Sequence, residues 1–167
     1  MHYALTDRII FAGYNLLAYP AKLITIWNLA CFYGYPLKSE MTLYYIALPA
    51  AIVLYGFLLW KFRKDKAVVF GLLFFLFTIS IVIQLLPIGN AIISDRYTYI
   101  PYLGLFILLG ELHQRYVEKN NSSGNIGYLP LIGVALIFCG KSYAQSQTWK
   151  SSETLWLQVL KVDDKEP

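Results

Sequence analysis

Charged side chains are scarce in this chain. Of its 167 residues only 14% are Asp, Glu, Lys or Arg, while 57% are hydrophobic and the mean hydropathy is +0.51. An average soluble domain carries roughly 25% charged residues. The shortage excludes a soluble globular protein, which needs more polar side chains to cover its surface, and it excludes an intrinsically disordered chain. The net charge of +4 is not gathered into a basic stripe or arm, so no nucleic-acid binding is predicted.

The usual metal-binding and nucleophilic motifs are also lacking. The chain has two Cys and two His, and their spacing matches neither a metal site nor a disulfide framework, so no metal and no cofactor is predicted. The sequence has no glycine-rich phosphate loop, nucleophile elbow or paired-histidine motif. Residues 1–8 do not resemble the start of a cleavable signal peptide.

What the chain has instead is long apolar runs. Residues 43–60 and 67–86 contain no charge, and about 20 apolar residues in a helix cross the ~30 Å hydrocarbon core of a bilayer. Three further runs, at 9–32, 97–116 and 126–144, carry few charges. The sequence therefore predicts an all-α polytopic membrane protein with about five transmembrane helices. The first run has an alternative interpretation as a kinked or partly interfacial helix.

The distribution of basic residues predicts the orientation. Residues 61–66 hold four Lys or Arg, which makes this loop cytoplasmic by the positive-inside rule. Alternation of the spans then predicts a cytoplasmic N-terminus with Arg8, external loops at 34–42 and 87–96, and an external C-terminus. Tyrosines and Trp60 near the predicted span ends resemble the aromatic belt of membrane proteins. The predicted location is an integral membrane protein of the inner or plasma membrane, if the source is bacterial.

The composition changes at the end of the chain. Residues 1–145 form the predicted transmembrane domain, and residues 146–167 mix charged with apolar side chains. Ser151 or Ser152 can cap a helix whose apolar positions recur at helical spacing, which predicts one external amphipathic helix. Two interpretations remain open. The helix lies on the membrane surface, or, as the pattern favours, it begins an array of helical repeats.

The external loop before the fourth span concentrates polar residues. Arg96 offers a planar donor pair for a phosphate, and Asp95 can balance its charge. Tyr97, Tyr99 and Tyr102 can pack against a sugar or a lipid headgroup. The alternative is an ordinary interface loop in which the charges are solvated and the tyrosines are anchors, and spacing alone favours it.

Lys22 is a second candidate for a phosphate contact. It lies within the first apolar run, towards the predicted outer side. Either its ammonium snorkels to the interface or it is a point charge for a lipid phosphate. Glu111 and His113, at the predicted inner end of the fourth span, are interpreted as facing cytoplasmic water rather than as catalytic groups.

Two stretches resemble a known family. Residues 87–104 contain a Pro-x-Gly element, then the acidic-Arg pair Asp95–Arg96, then Tyr-x-Pro-x-x-Gly around Pro101. Residues 149–162 look like a junction between a last span and helical repeats. Together they resemble the transmembrane and tetratricopeptide-repeat-containing O-mannosyltransferase-like family.

The resemblance implies a polytopic glycosyltransferase that moves a sugar from a polyprenyl-phosphate donor to protein hydroxyls. Its active site and repeats lie on the external side. Within it we expect Arg96 and Lys22 to contact the donor phosphate. The loop is expected to be supported by Asp95, Tyr97, Tyr99 and Pro101.

One part of the family pattern is missing. The family's catalytic base is an acidic residue of the first external loop, and Glu40, the acid in this chain's loop, does not match that motif. No catalytic residue is therefore assigned. The chain is interpreted as the C-terminal part of a membrane domain, inactive alone and followed by the start of a truncated tetratricopeptide-like region. Its expected partners are the lipid bilayer, the polyprenyl-phosphate sugar, the upstream half of the domain and the downstream repeats.

Two other functions are considered. A non-catalytic membrane anchor would present tetratricopeptide repeats to periplasmic protein partners. A transporter would need ionisable residues inside its spans or repeated broken helices, and Lys22 alone meets that condition.

Overall fold

The computed structural model describes residues 4–25, 29–31, 33–34, 42–83, 92–119 and 125–162. Within these ranges the chain is all-α, which confirms the predicted class. The α-helices are α1 (Leu5–Ile24), α2 (Thr42–Lys61), α3 (Lys66–Ser80), α4 (Pro101–Lys119), α5 (Leu129–Thr148) and α6 (Ser152–Val162). Two short 3₁₀ helices, Asp95–Thr98 and Asn125–Tyr128, precede α4 and α5.

One helix has the dimensions of a membrane span. Among the residues that the structure describes, only α2 is both long and apolar enough, over the 18 residues Tyr44–Lys61, and α3 is apolar but shorter. The helix α2 covers the predicted run 43–60 almost residue for residue. Length and composition therefore support one membrane-crossing helix.

The ends of α1 and α5 differ from those of the predicted runs, whereas the start of α6 agrees with its prediction. α1 ends at Ile24 rather than 32, and the described backbone beyond it donates hydrogen bonds from Ala30 to Asp95 and from Tyr33 to Ile93. α5 continues through Thr148, past the predicted end at 144. Helix α6 begins as predicted, since the Ser151 hydroxyl accepts a hydrogen bond from the Thr154 amide at 3.2 Å. Part of the candidate loop, residues 87–90, and Glu40 lie outside the described residues.

The first two helices run in the same direction. Phe11 contacts Tyr44, Gly13 lies against Leu48, and the Tyr55 hydroxyl donates to the Leu16 carbonyl at 2.8 Å. Contacts in ascending order along both helices make them parallel, whereas alternation of complete spans predicts an antiparallel pair. This packing puts the start of α1 at the end of the bundle where α2 begins. The cytoplasmic N-terminus predicted from alternation is therefore not supported by the contacts.

Helices α3 and α4 pack closely through two glycines. A Cβ atom on Gly104 would lie 2.5 Å from the Gly71 carbonyl oxygen and 2.8 Å from the Phe75 nitrogen. Such small residues let helix backbones approach one another. Because Gly104 is in the first turn of α4 and faces the middle of α3, α4 begins partway along α3. The segment before α4 is therefore recessed into the bundle.

The core lies among α1–α4. Its fully buried side chains include Phe11, Tyr19, Ala51, Val68, Leu72, Phe75 and Ile79, with Ile92 and Ile93 from the recessed segment. In contrast, α5 has no buried residue, and its Leu136 side chain is 68% exposed.

The glycine contact makes a direct prediction. We expect Gly104→Ala to lower the free energy of unfolding by about 1–3 kcal/mol, since the new methyl group meets backbone atoms that cannot move aside. Gly110→Ala, in the same helix, is the control, because no atom lies within 4 Å of its Cβ position. That change should be neutral or stabilise by up to ~1 kcal/mol. Thermal unfolding in detergent followed by circular dichroism measures both, and equal effects would contradict the close packing.

Candidate functional site

The recessed segment 92–95 is held by polar groups of α1 and by residues 29–34. The Asn15 carboxamide donates to the Ile92 carbonyl at 3.0 Å, and the Ser94 amide donates to the Tyr19 hydroxyl at 3.5 Å. An isolated antiparallel bridge joins Tyr33 to Ile93. These bonds pair backbone amide and carbonyl groups of a non-helical segment that lies inside an apolar bundle.

An ion pair lies at the end of this segment. The Lys22 ammonium, in the last turn of α1, is 3.7 Å from the Asp95 carboxylate. The same carboxylate accepts hydrogen bonds from the Ala30 amide at 2.8 Å and from the Tyr33 hydroxyl at 3.3 Å. The Lys22 nitrogen also lies 3.4 Å from the centre of the Tyr33 ring. Asp95 therefore balances Lys22, whereas the sequence suggested that it balances Arg96.

The electrostatics of Asp95 follow from these contacts. Burial raises the pKa of the Asp95 carboxyl, while the Lys22 ammonium and the hydrogen bonds from Ala30 and Tyr33 oppose that rise. Both members of the pair are largely covered, with 17% of the Lys22 side chain and 23% of the Asp95 side chain exposed. A charge in such a place is stable only with its partner.

Arg96 projects from the 3₁₀ helix that follows. It is exposed, and its guanidinium carbon lies 5.6 Å from the centre of the neighbouring Tyr97 ring. Pro101 is buried at the start of α4. One residue further on, the Tyr102 hydroxyl donates to the Tyr19 carbonyl at 2.8 Å, which ties α4 to α1.

These groups border a cavity of about 570 Å³ between α1, α4 and α5. Its charged lining residues are Lys22, Asp95, Arg96 and Lys141. Apolar and aromatic side chains form the rest of the wall, among them Leu23, Leu29, Tyr99, Tyr102, Phe106, Phe138 and Trp149. The volume is typical of small-molecule sites, which combine apolar walls with a few polar groups.

The structure brings together some of the predicted site residues and not others. Lys22, Asp95, Arg96 and Tyr99 line the cavity, and Tyr97 and Pro101 do not. Tyr97 and Pro101 have local structural contacts instead: the Tyr97 amide donates to the Ser94 carbonyl at 3.1 Å, and Pro101 starts a helix.

Sequence reasoning missed Lys141. This residue, half-buried on α5, brings a third cation to the cavity. Gln145 and Trp149 follow it at one-turn spacing on the same face, and the Gln145 carboxamide donates to the Leu29 carbonyl at 3.4 Å. The signal in the sequence was its charge, since Lys141 is the one charged residue of the predicted run 126–144 and a charge within a span is costly unless it has a function or a partner.

Glu111 and His113 are away from the cavity. Glu111 forms an exposed ion pair with Arg115 at 2.9 Å, and the His113 ring donates to the Gly127 carbonyl at 3.0 Å. Among the described residues no three His, Cys, Asp or Glu side chains are grouped as a metal site. The cations and apolar side chains that line the cavity suit an anion with an apolar part.

The Lys22–Asp95 pair is testable by a double-mutant cycle. We expect Lys22→Met and Asp95→Asn each to destabilise the protein, and the double variant to lose less than their sum, with a coupling of about 1–2 kcal/mol. The exposed Glu111–Arg115 pair is the control, for which the coupling should be about 0.3–0.5 kcal/mol. Chemical unfolding in detergent gives the values. Additive effects of the two single substitutions would show that the pair does not hold the site.

Comparison with family models, with curated proteins and with solved structures finds no match to this chain. The interpretation of the cavity therefore depends on the chain's own residues and on the resemblance of its motifs.

Proposed function

We propose that this chain is a membrane-embedded helical domain that binds the phosphate of a polyprenyl-phosphate sugar. In this proposal it is part of a glycosyltransferase that transfers the sugar to protein hydroxyls. The observation that carries the proposal is the cavity in which Lys22, Arg96 and Lys141 stand beside apolar walls.

A membrane location for several helices is supported by what the helices expose. Large apolar side chains face outward on α2, where Ile52 is 64% and Val53 70% exposed, and along α5. Contiguous exposed apolar surface of this kind marks contact with lipid or with another protein. The basic turn 61–66 favours a cytoplasmic position for the α2–α3 connection.

Cysteine labelling tests this topology. In a background with Cys31→Ser and Cys139→Ser, we expect a membrane-impermeant maleimide to label Leu5→Cys and Ser151→Cys in intact spheroplasts. Lys64→Cys should react only after lysis. Labelling of Lys64→Cys in intact cells would contradict the orientation, and protection of Leu5→Cys would contradict parallel packing of α1 and α2.

The cavity suits a lipid-linked phosphate for reasons of charge and shape. Three cations and one carboxylate give it a positive charge, and the carboxylate is engaged by Lys22. Arg96 lines the cavity and is exposed, and a guanidinium can donate a pair of hydrogen bonds to two phosphate oxygens. The Leu23, Phe106 and Phe138 side chains provide apolar surface for the first isoprenyl units.

In sugar transfer these cations would act on the leaving phosphate. The bond between the sugar carbon and the phosphate oxygen breaks, and its electron pair stays on that oxygen. Fixed cations stabilise this developing charge more in a water-poor cavity than in solvent. The acceptor hydroxyl bonds to the sugar carbon, and its proton passes to a base that the resemblance locates in an acidic loop motif absent from this chain. We therefore propose donor binding, and not complete catalysis, for the chain alone.

Binding of the donor lipid is the direct test. We expect Arg96→Ala and Lys141→Ala each to weaken binding of a fluorescent polyprenyl monophosphate about 10- to 150-fold, since each loses a charge-assisted contact worth ~1.5–3 kcal/mol. Lys119→Ala, an exposed lysine at the far end of α4, is the charge-matched control. Affinities are measured in detergent micelles, with the uncharged polyprenol as a second ligand.

Two results would contradict donor binding in the cavity, and a third would give the effect another cause. Unchanged affinity in both cavity variants, or equal binding of polyprenol and its phosphate, would overturn the proposal. Loss of binding in Lys119→Ala as well would assign the effect to overall charge rather than to the cavity.

A membrane anchor is the second candidate, and α6 favours it. Its Trp156, Leu157 and Leu160 side chains are each more than half exposed, while Val159 on the other side is buried. An exposed apolar surface on a terminal helix is suited to stacking against a following helical repeat. An anchor would tolerate loss of Arg96 and Lys141 without any change in ligand binding.

A further inference from the structure

We propose a second anion site, separate from the cavity, at the turn between α2 and α3. Its ligand is the phosphate headgroup of an anionic membrane phospholipid. The inference does not depend on the proposed sugar transfer.

The site is a pocket of about 420 Å³. It is lined by the end of α2, the turn itself and one residue of α4: Trp60, Lys61, Phe62, Arg63, Lys64, Asp65 and Arg115. Four of these side chains are cations and one is a carboxylate. The pocket is therefore strongly positive for its size.

The existing contacts show which charges face a ligand. Arg115 forms an ion pair with Asp65 and bonds Glu111 through two nitrogens, at 2.9 and 3.0 Å. Asp65 is further engaged as the N-cap of α3, where it accepts from the Val68 amide at 3.4 Å. Among the charged residues that line this pocket, ion pairs are seen for Asp65 and Arg115 in the described part of the chain.

Three cations of the turn remain directed at the surface. The Lys61 ammonium lies 5.6 Å from the ring centres of both Phe57 and Phe62, so its stem is fixed against aromatic surface. Arg63 and Lys64 are exposed, and no ion pair of either is seen in the described part of the chain. A phosphate in the pocket would neutralise them without breaking an existing pair.

The position of the pocket, at the end of an apolar helix, favours a lipid as its ligand. The apolar stretch Tyr44–Lys61, which is long enough to cross a membrane, ends at the pocket wall. Trp60, which is 66% exposed, is the residue type that sits at the headgroup level of bilayers. Basic pockets beside membrane helices bind anionic headgroups, and the apolar wall of Trp60 and Phe62 continues into the surface that acyl chains would cover.

Lipid binding by charge-matched variants tests the site. We expect the full chain in detergent to bind fluorescent phosphatidylglycerol more tightly than fluorescent phosphatidylcholine. The double variant Arg63→Gln/Lys64→Gln should lose about thirtyfold in affinity for phosphatidylglycerol, at the ~1 kcal/mol that each basic residue contributes at an anionic membrane surface. Both residues are exposed, and circular dichroism checks that the fold is kept.

Two controls decide the interpretation. Lys150→Gln/Lys161→Gln removes the same charge at exposed positions near the C-terminus and should change the affinity less than twofold. Arg96→Ala should leave phosphatidylglycerol binding unchanged, which separates this site from the cavity. Equal losses in both double variants, no preference over phosphatidylcholine, or complete competition by glycerol phosphate at the lipid's own concentration would each overturn the proposal.

Discussion

The hydrogen bonds between side chains of α1 and a recessed loop are the constraint on which the site depends. Irregular backbone inside an apolar bundle is costly unless its amides and carbonyls are paired. Asn15 and Tyr19 provide that pairing from inside a helix, and Tyr33 adds the backbone bridge to Ile93. Further contacts join the loop to the chain that follows α1, since Ala30 bonds to Asp95 and the Cys31 carbonyl accepts from the Ser94 hydroxyl.

The position of the ion pair follows from this arrangement. Lys22, in the last turn of α1, meets Asp95 at the start of the 3₁₀ helix that precedes α4. The carboxylate then neutralises Lys22 and leaves Arg96, on the neighbouring 3₁₀ helix, turned towards the cavity. Asp95 thus holds the loop through its hydrogen bonds, and it also offsets the charge of Lys22 in the cavity.

Sequence patterns predicted the features that are local. The all-α class, the bounds of α2 and the Ser151 cap depend on composition and on neighbours within one turn, and the structure agrees with them. The partner of Asp95 and the direction of α1 depend on contacts between residues far apart in sequence, which no periodicity encodes. Of the candidate site, Arg96 and Lys22 were identified from residue type alone. Lys141, inside the predicted run 126–144, was missed because its place at the cavity depends on how α5 packs beside α1 and α4.

The exposure of α5 has a consequence for the size of what the cavity can hold. One wall of the cavity belongs to this helix, which has no fully buried side chain and lies outside the core cluster. Moving that wall outward uncovers little core surface, whereas moving α1 or α4 would disrupt the packing of Phe11, Tyr19 and Phe75. The side of the cavity that α5 forms is therefore easier to displace than the sides that α1 and α4 form. A ligand larger than the cavity would therefore disturb the least core packing if it displaced α5.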